Sequence, residues 1–321
     1  MPVRRSDILW AYRSLLGRKP ESDRVVDLHR SAADFRTLCE SFIASDEFKD
    51  RVRPLKRRGG PKPVLALLPP LRIDTAADAN ELRQLWQRTR QVWTILGERQ
   101  PFHSILTEDR FTPERWPEFE SEFWGSGEAE AGDLVDYLDG LDALKLADST
   151  LLEFGCGVGR VAIPLARSCA RVIGYDISAS HLALACDRAS ALGCGNISTI
   201  DLGEEVLREF EPCDVFYSRL VLQHNPPPII GHVLRNLIRA LKPGGIGVFQ
   251  VPTYRVGYRF DLGATLRSPQ PSDMEMHCFP QPELFALIAQ AGALLIEVRE
   301  DDTPKHPELF VSNSIVLRKP A

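Results

Sequence analysis

From residue 150 onward, short apolar segments alternate with segments in which apolar residues recur at helical spacing. Strands that alternate with helices pair in parallel, and the helices cover both faces of the sheet. The sequence therefore predicts an α/β fold, a doubly wound and mostly parallel sheet whose last two strands form an antiparallel pair at one edge. The predicted strands lie near 150–155, 171–175, 196–200, 213–219, 246–251, 293–299 and 312–318, and the helices near 160–168, 179–192, 228–241 and 281–291.

The first predicted strand runs into a loop with three glycines, Gly155, Gly157 and Gly159, and then into a helix. Glycine lets the backbone pass close to a ligand, and a helix begins with free N–H groups. The second strand ends in Asp176, whose carboxylate can accept hydrogen bonds from a ribose diol. This arrangement predicts a site for a nucleoside-like cofactor at the carboxyl ends of the strands.

Two further features follow in order. Asp201 comes just past the third strand, and the segment 214–226 precedes Leu-Lys-Pro-Gly-Gly at 241–245. Together with the glycine loop and Asp176, they resemble the class I S-adenosylmethionine-dependent methyltransferases over residues 150–321. The resemblance implies a Rossmann-like sheet of seven strands and S-adenosyl-L-methionine as the cofactor.

The resemblance also assigns cofactor contacts. The glycines would pass beneath the methionine and ribose portions, Asp176 would hold the ribose hydroxyls, and Asp201 would accept from the adenine amino group. Arg160 would contact the cofactor carboxylate or cap the loop, and a small-residue loop at 123–127 would lie over that carboxylate. The predicted cofactor-binding residues are Glu153, Gly155, Cys156, Gly157, Gly159, Arg160, Asp176, Ile177, Asp201, Leu202 and Trp124.

Two other classes are alternatives. A nicotinamide-dependent dehydrogenase carries G-x-G-x-x-G, whereas Gly155-x-Gly157-x-Gly159 is one residue tighter and suits a ligand without phosphates. A cofactor-binding interaction protein without catalysis is the second alternative. The presence of both Asp176 and Asp201 argues against it.

Transfer of a methyl group to a hydroxyl needs a base. His224 follows the fourth strand, in a loop stiffened by the prolines at 226–228, and is the first candidate; His277 is the second. Packing beneath the cofactor or capping of the next helix is the structural alternative for His224. We predict no metal site, because no compact ligand spacing occurs.

The segment 252–280 is longer than a plain connection and is predicted to shape a substrate pocket. Its candidate substrate contacts are Tyr254, Tyr258, Asp261 and Glu275. A sugar hydroxyl of a polysaccharide or glycolipid is the acceptor that we expect. A small natural product or quinone-like metabolite is the second choice, and a protein is the third.

Three segments precede the α/β domain. Residues 1–57 are predicted to form a helical module, and the stretches 11–21 and 41–48 resemble a domain appended to bacterial glycan-modifying enzymes. Glycines and prolines predict a linker over 58–77. Residues 78–149 are predicted as a helical cap with helices at 78–96 and 133–146. In this cap Trp86 and Trp93 would pack helices onto the core, whereas Trp116 and Trp124 would form a lid over the cleft.

Charge is distributed unevenly along the 321 residues, whose net charge is −5. Residues 1–62 carry an excess of six positive charges, concentrated at 49–62, and the remainder an excess of eleven negative ones. The basic segment predicts either a solvated helix end or contact with a membrane or an acidic partner, whereas the acidic half argues against nucleic acid.

Seven scattered cysteines and the lack of a spanning apolar run predict a cytoplasmic protein.

Overall fold

The computed structural model describes residues 3–16, 18–48, 70–141, 143–203, 208–271, 273–301 and 309–321. The chain forms two compact units. The first comprises residues 1–68 and 133–145, and the second comprises residues 69–132 and 146–321. The second unit contains the sheet and all the cavities considered below.

The strands of the second unit form a sheet of seven strands and a separate sheet of two. The larger sheet has the order β4-β3-β2-β5-β6-β9-β8, and the smaller one pairs β1 with β7 in parallel. The strands are β1 Arg72–Ile73, β2 Thr150–Phe154, β3 Arg171–Asp176, β4 Ile197–Asp201, β5 Cys213–Ser218, β6 Leu241–Arg255, β7 Arg259–Phe260, β8 Leu294–Asp301 and β9 Phe310–Arg318.

Strands β2 to β6 pair in parallel, and β9 pairs antiparallel with both β6 and β8. The predicted mostly parallel sheet and its antiparallel edge are therefore confirmed. Chain order reverses between β2 and β5, because β2 lies between β3 and β5. In open α/β sheets, such a reversal opens a crevice at the carboxyl ends of the strands, where ligands bind.

Helices cover both faces of this sheet. They are α4 Ala79–Arg99, α5 Trp116–Gly140, α6 Ala162–Leu165, α7 Ala179–Ala191, α8 Pro227–Ala240, α9 Leu262–Arg267 and α10 Gln281–Gln290, of which α5 continues into the first unit. The Asp78 carboxylate caps α4 by accepting from the N–H groups of Asn80 and Glu81. Helix α8 starts with Pro227 and is buried along most of its length, as expected of a helix against a parallel sheet.

Helix α5 differs from the prediction. It begins at Trp116, so residues 123–127 are helical and do not form a loop, and the helix predicted at 133–146 starts earlier and ends at Gly140. A Cβ atom at Gly127 would overlap the carbonyl oxygen of Arg160, so this glycine lets the helix approach the glycine loop closely. That contact offsets the cost of about 1 kcal/mol for glycine within a helix.

Among its described residues, the first unit contains the end of α5 and four further elements: α1 Arg5–Ala11, the π-helical turn Tyr12–Leu16, α2 Asp23–His29 and α3 Phe35–Ala44. Its core is formed by Val3, Ile8, Ala11, Tyr12, Val26, Leu38 and Phe42. The predicted N-terminal helical region is therefore confirmed. The basic segment 49–62 lies outside the described residues, so its predicted contacts stay predictions.

The predicted linker 58–77 is only partly described, from residue 70 onward. Within it, Arg72 and Ile73 form β1 and pair with Arg259 and Phe260, so this end of the segment is held to the second unit. Across the described ranges, no helix is both long and apolar enough to cross a membrane.

Candidate active site

A cavity of about 770 Å³, which includes space open to solvent, lies at the carboxyl ends of β2, β3 and β5. The sequence predicted a ligand site at this edge of the sheet. Seven of the predicted cofactor residues line the cavity: Glu153, Gly155, Cys156, Arg160, Asp176, Ile177 and Leu202.

The glycine loop needs its glycines for both backbone conformation and space. Gly155, Gly157 and Gly159 have φ values of 77°, 53° and 78°, in the left-handed region that favours glycine. A Cβ atom at Gly155 would overlap the Val221 side chain, and one at Gly157 would overlap Ile105. Gly157 and Gly159 do not line the cavity, among the residues that the structure describes, and instead shape the loop that does.

Asp176 ends β3 with its carboxylate buried beneath this loop. Its Oδ2 accepts from the backbone N–H of Gly157 at 2.8 Å, and its Oδ1 accepts from that of Ser178 at 2.9 Å. Each carboxylate oxygen has a second acceptor site. The side chain therefore braces the glycine loop and can also accept from a ligand in the cavity.

Asp201 differs from the prediction, although it stands opposite Asp176 in the register of β3 and β4. It is exposed, and its Oδ1 accepts from the N–H of Gly203 at 2.7 Å. In the described part of the chain it does not line the cavity, whereas its neighbour Leu202 does. The reason is the turn after β4, which engages the Asp201 carboxylate. An adenine contact of Asp201 stays a prediction.

A group of charged side chains forms one end of the cavity. Glu130 of α5 accepts from Arg160 at 2.6 Å and from the Tyr217 hydroxyl at 2.7 Å, and its carboxylate lies 3.1 Å from Arg219. Burial raises the pKa of Glu130, but the charges of Arg160 and Arg219 outweigh it, so the pKa is lowered overall. Two guanidinium groups against one carboxylate leave an excess positive charge at this end.

Glu153 lies at the same end, at the start of the glycine loop. Burial, followed by the charge of Glu130, raises its pKa well above the usual value. Its Oε2 and the Nε of Arg160 are buried without a hydrogen-bond partner in the described structure. Unpaired buried polar atoms are costly, so both atoms are candidates for contact with a polar ligand group.

Helix α4 contributes Trp86, Thr89 and Trp93 to the lining of the same cavity. The indole N–H of Trp86 donates to the carbonyl of Gly203 at 2.9 Å. Trp86 packs into the hydrophobic core as predicted, and the structure shows in addition that both Trp86 and Trp93 line the cleft.

Trp116 and Trp124 have a different place from the predicted lid. Trp116 stacks on Phe102, with ring centroids 3.4 Å apart, and Trp124 lies against Phe123 and beneath Arg188. Because residues 123–127 are helical, Trp124 joins this aromatic cluster, and it does not line the cavity among the described residues. Its predicted cofactor contact has no support from this geometry.

A second cavity of about 340 Å³, again including space open to solvent, shares Thr89 and Trp93 with the first. His224 lines it, and the ring centroids of His224 and Trp93 are 5.4 Å apart. The remaining lining residues are Arg88, Val92, Pro226, Thr265, Pro271, Asp273, Met274 and Glu275. The structure thus places the first candidate base beside a pocket that adjoins the glycine-loop cavity.

His224 is held at both ring nitrogens. Its Nδ1 lies 2.9 Å from the carbonyl oxygen of Glu275, and its Nε2 lies 3.1 Å from the side-chain nitrogen of Gln223. Burial lowers the pKa of His224 to about 4; the hydrogen bond to Glu275 opposes this, and the charge of His277 adds to it. The imidazole is therefore neutral at neutral pH and able to accept a proton.

The lowered pKa of His224 makes the stability of the fold depend on pH. Because the pKa is lowered from 6.5 to about 4 on folding, protonation favours the unfolded chain. His224 stabilises the fold above pH 6.5, and we expect that contribution to be lost between pH 6.5 and about 4. At about 1.4 kcal/mol per pKa unit, the loss is ~3 kcal/mol. Urea unfolding at several pH values checks this, and His224→Asn, which does not titrate, should show a correspondingly smaller dependence on pH.

The second candidate base and three of the four predicted substrate contacts line neither cavity, so far as the described chain shows. His277 is buried; its Nδ1 lies 2.7 Å from the Tyr258 hydroxyl and its Nε2 lies 3.6 Å from Glu275. Tyr254 lies in β6 opposite Val311. Asp261 is exposed and caps α9 by accepting from the N–H of Ala264 at 2.7 Å. Of the predicted substrate contacts, only Glu275 lines the second cavity.

Several lining residues escaped sequence reasoning. Arg219, Leu220, Val221 and Asn225 follow the carboxyl end of β5, and the rule that ligands bind where chain order reverses would have indicated them. His181 lies five residues past Asp176 at the start of α7. Its Nε2 is 3.1 Å from both Ser104 and the Pro101 carbonyl, and burial lowers its pKa. The segments that supply Ser104, Ile105 and Glu130 had no motif to indicate them.

A family model described as a methyltransferase domain matches residues 151–245, which contain the glycine loop and Asp176. The predicted class of protein and its α/β fold are confirmed. A solved structure with the same fold is magnesium protoporphyrin IX methyltransferase from Synechocystis with bound SAH. It is 16% identical, with a TM-score of 0.52 over 73% of this chain and 99% of that chain.

More similar in sequence are curated ubiquinone biosynthesis O-methyltransferases. That of Paracidovorax citrulli is 33% identical over 133 residues, which is 41% of this chain and 54% of the relative. That of Serratia proteamaculans is 37% identical over 101 residues, which is 30% of this chain and 40% of the relative. The chain spans about half the length of the curated relatives it matches. The resemblance of the N-terminal module to appendages of glycan-modifying enzymes has no counterpart in these matches.

Proposed function

We propose that this protein transfers a methyl group from S-adenosylmethionine to a phenol-like hydroxyl of a small metabolite. The observation that carries the proposal is the pair of adjoining cavities. One contains the glycine loop and Asp176, the other contains His224, and Thr89 and Trp93 line both. A methyl donor in the first cavity and a hydroxyl acceptor in the second would meet beside Thr89 and Trp93, within reach of a neutral imidazole.

The residues of the first cavity fit S-adenosylmethionine, which supplies an electrophilic methyl group when bound. Asp176 would accept from the ribose hydroxyls, while Leu202 and Ile177 offer apolar contact to a purine. The positive charge around Arg160 and Arg219 suits the cofactor carboxylate. The unpartnered Oε2 of Glu153 would accept from its ammonium group. These residues bind and orient the donor, and the alignment of two reactants can supply ~7–11 kcal/mol of a barrier.

The second cavity would hold the acceptor, and His224 would remove the proton of its hydroxyl. With a pKa of about 4, His224 is a weak base. A phenol, with a pKa near that of tyrosine at about 10, gives up its proton far more readily than an aliphatic hydroxyl, whose acidity is close to that of water at about 15.7. The basicity of His224 therefore favours a phenol-like acceptor over a sugar.

The matched relatives support the same choice, since their names place O-methylation in ubiquinone biosynthesis. A sugar hydroxyl, the acceptor expected from the sequence, has no support among these matches. The apolar and aromatic part of the second cavity, Val92, Trp93, Pro226, Pro271 and Met274, suits a ring. The sugar remains the competing outcome of the experiment that follows.

Two measurements test the proposal in sequence. Calorimetry with S-adenosylmethionine should show binding, and its absence would exclude the proposed cofactor. Donor labelled in the methyl group is then incubated with the protein and with glycan, lipid, protein and small-molecule fractions of a cell lysate. We expect label in the small-molecule fraction, in compounds that carry a phenolic ring. Label in the glycan fraction would overturn the proposed acceptor and leave the methyltransferase activity in place.

A further inference from the structure

Leu220 is the only residue other than glycine with a positive φ in the described chain, at 63°. It lies between β5 and the turn that contains His224, and it lines the first cavity. Such a conformation strains a leucine and persists only where neighbouring groups hold it. Here its backbone N–H donates to Oε1 of Gln250 at 3.1 Å. A buried chain of side-chain amides starts at this hydrogen bond.

Gln250 lies in β6 and is almost fully buried. A backbone N–H can only donate, so the amide atom that faces Leu220 must be the oxygen. The amide nitrogen therefore points the other way, where it donates to Oε1 of Gln223 at 3.2 Å and to the hydroxyl of Ser312 at 2.8 Å. The orientation of the Gln250 amide is thus set by a backbone group.

Gln223 is also buried, and its side-chain amide has a fixed orientation as well. Since its oxygen accepts from Gln250, its nitrogen is the atom that lies 3.1 Å from Nε2 of His224. An amide nitrogen can only donate, so Nε2 of His224 must carry a lone pair. The first end of the chain therefore requires that Nε2 has no proton.

The other end of the chain leads to the same result independently. Nδ1 of His224 lies 2.9 Å from the carbonyl oxygen of Glu275, which can only accept. Nδ1 must therefore carry the proton. A backbone donor at Leu220 and a backbone acceptor at Glu275 thus impose the same direction on every hydrogen bond between them.

We propose that Gln250 and Gln223 are positioning residues that hold His224 as the tautomer with its proton on Nδ1, so that Nε2 is the only basic nitrogen. The acceptor hydroxyl would displace the Gln223 amide at Nε2 and give its proton to that atom. The tautomer follows from the hydrogen bonds alone, whereas the proton transfer rests on the proposed function. The chain also joins a strained residue of the cofactor cavity to the base of the acceptor cavity.

Among the residues that the structure describes, four other charged or titratable groups line the second cavity or act on His224: Arg88 on α4, and Asp273, Glu275 and His277 on the segment before α10. These four residues are the same in the wild type and in every Gln223 variant. A comparison of the variants therefore reports the effect of the Gln223 amide on His224. Gln223→Glu replaces a donor by a carboxylate at nearly the same size. Gln223→Met removes the donor without adding charge and is the matched control.

Nitrogen-15 NMR of the imidazole rings in the full chain tests the tautomer without cofactor or turnover, and the His224 signals are assigned by their loss in His224→Asn. At pH 7 we expect a protonated Nδ1 and a bare Nε2 in the wild type, and a larger share of the other tautomer in Gln223→Met, where no amide donates to Nε2. As the pH is lowered from 7, we expect Gln223→Glu to take up protons on both nitrogens at a midpoint about one to three pH units above that of the wild type, because a carboxylate beside Nε2 stabilises the imidazolium. A wild type with its proton on Nε2, or the same midpoint in all three proteins, would overturn the proposal.

The pH profile of kcat/KM gives a second readout on any acceptor identified by labelling. The acidic limb of this profile should move to higher pH in Gln223→Glu by the same amount as the NMR midpoint. In Gln223→Met the acidic limb should stay at the pH of the wild type. A merely structural role would lower the rate at every pH and leave the limb in place. The NMR result decides the positioning role even if no acceptor is methylated, and that second outcome would count against the proposed function alone.

Discussion

Replacing Asp176 by alanine is expected to weaken S-adenosylmethionine binding by about 100-fold or more. The carboxylate lines the cofactor cavity and accepts from the N–H groups of Gly157 and Ser178. Without it, the glycine loop loses its brace and a ribose diol loses two hydrogen bonds to a charged group. Such bonds contribute about 1.5–3 kcal/mol each, and 1.4 kcal/mol is tenfold in affinity. Calorimetry measures the change.

Asp201→Ala is the matched control, because Asp201 ends the neighbouring strand directly opposite Asp176. It is exposed and bonds to Gly203, so we expect its loss to change the affinity by less than about threefold, as is usual for surface sites. Equal losses in the two variants would show that both carboxylates hold the ligand, as the sequence motif predicted. Thermal unfolding of each variant separates lost binding from a collapsed loop.

Replacing His224 by alanine is expected to lower kcat by about 10²–10⁴-fold, the usual contribution of a positioned base. The affinity for S-adenosylmethionine should stay near that of the wild type, since His224 lines the second cavity and not the first. Single-turnover transfer of labelled methyl at saturating donor measures the chemical step, and calorimetry measures the binding.

His277→Ala is the control for this prediction. His277 was the second candidate base, but it is buried against Tyr258 and borders neither cavity in the described chain. We expect a smaller fall in kcat, caused by the altered position of the Glu275 segment that holds His224. If His224→Ala keeps full turnover while His277→Ala loses it, the base is misassigned and the acceptor lies on the other side of this segment.

Much of the fold could be predicted because its signals are local. Apolar strands that alternate with amphipathic helices can be covered only as a parallel sheet, and each predicted strand of the large sheet is present within a few residues, except that β6 extends further at both ends. The position of β9 between β6 and β8 could not be predicted, since an antiparallel pair at the edge is compatible with either strand beside β6.

The candidate site was predictable only in part, because a local sequence pattern marks only some of its residues. The glycine loop and Asp176 are contiguous signals whose chemistry is set by backbone conformation. In contrast, Glu130, Trp93 and Gln250 come from distant segments, and their periodicity suggests only packing. Asp176 and Asp201 look alike in the sequence, yet one is buried beneath the loop and the other is exposed.

The sequence by itself determined the parallel sheet, the glycine loop and the carboxylate at the end of β3, because each depends on residues that are neighbours along the chain. Only the tertiary structure decided that α4 lines two adjoining cavities, that residues 123–127 are helical, and that two buried glutamines connect to His224 by hydrogen bonds. These features depend on packing between segments far apart in the chain. In these features, packing between distant segments outweighs the conformational preference of the local sequence. A local sequence pattern therefore does not predict them.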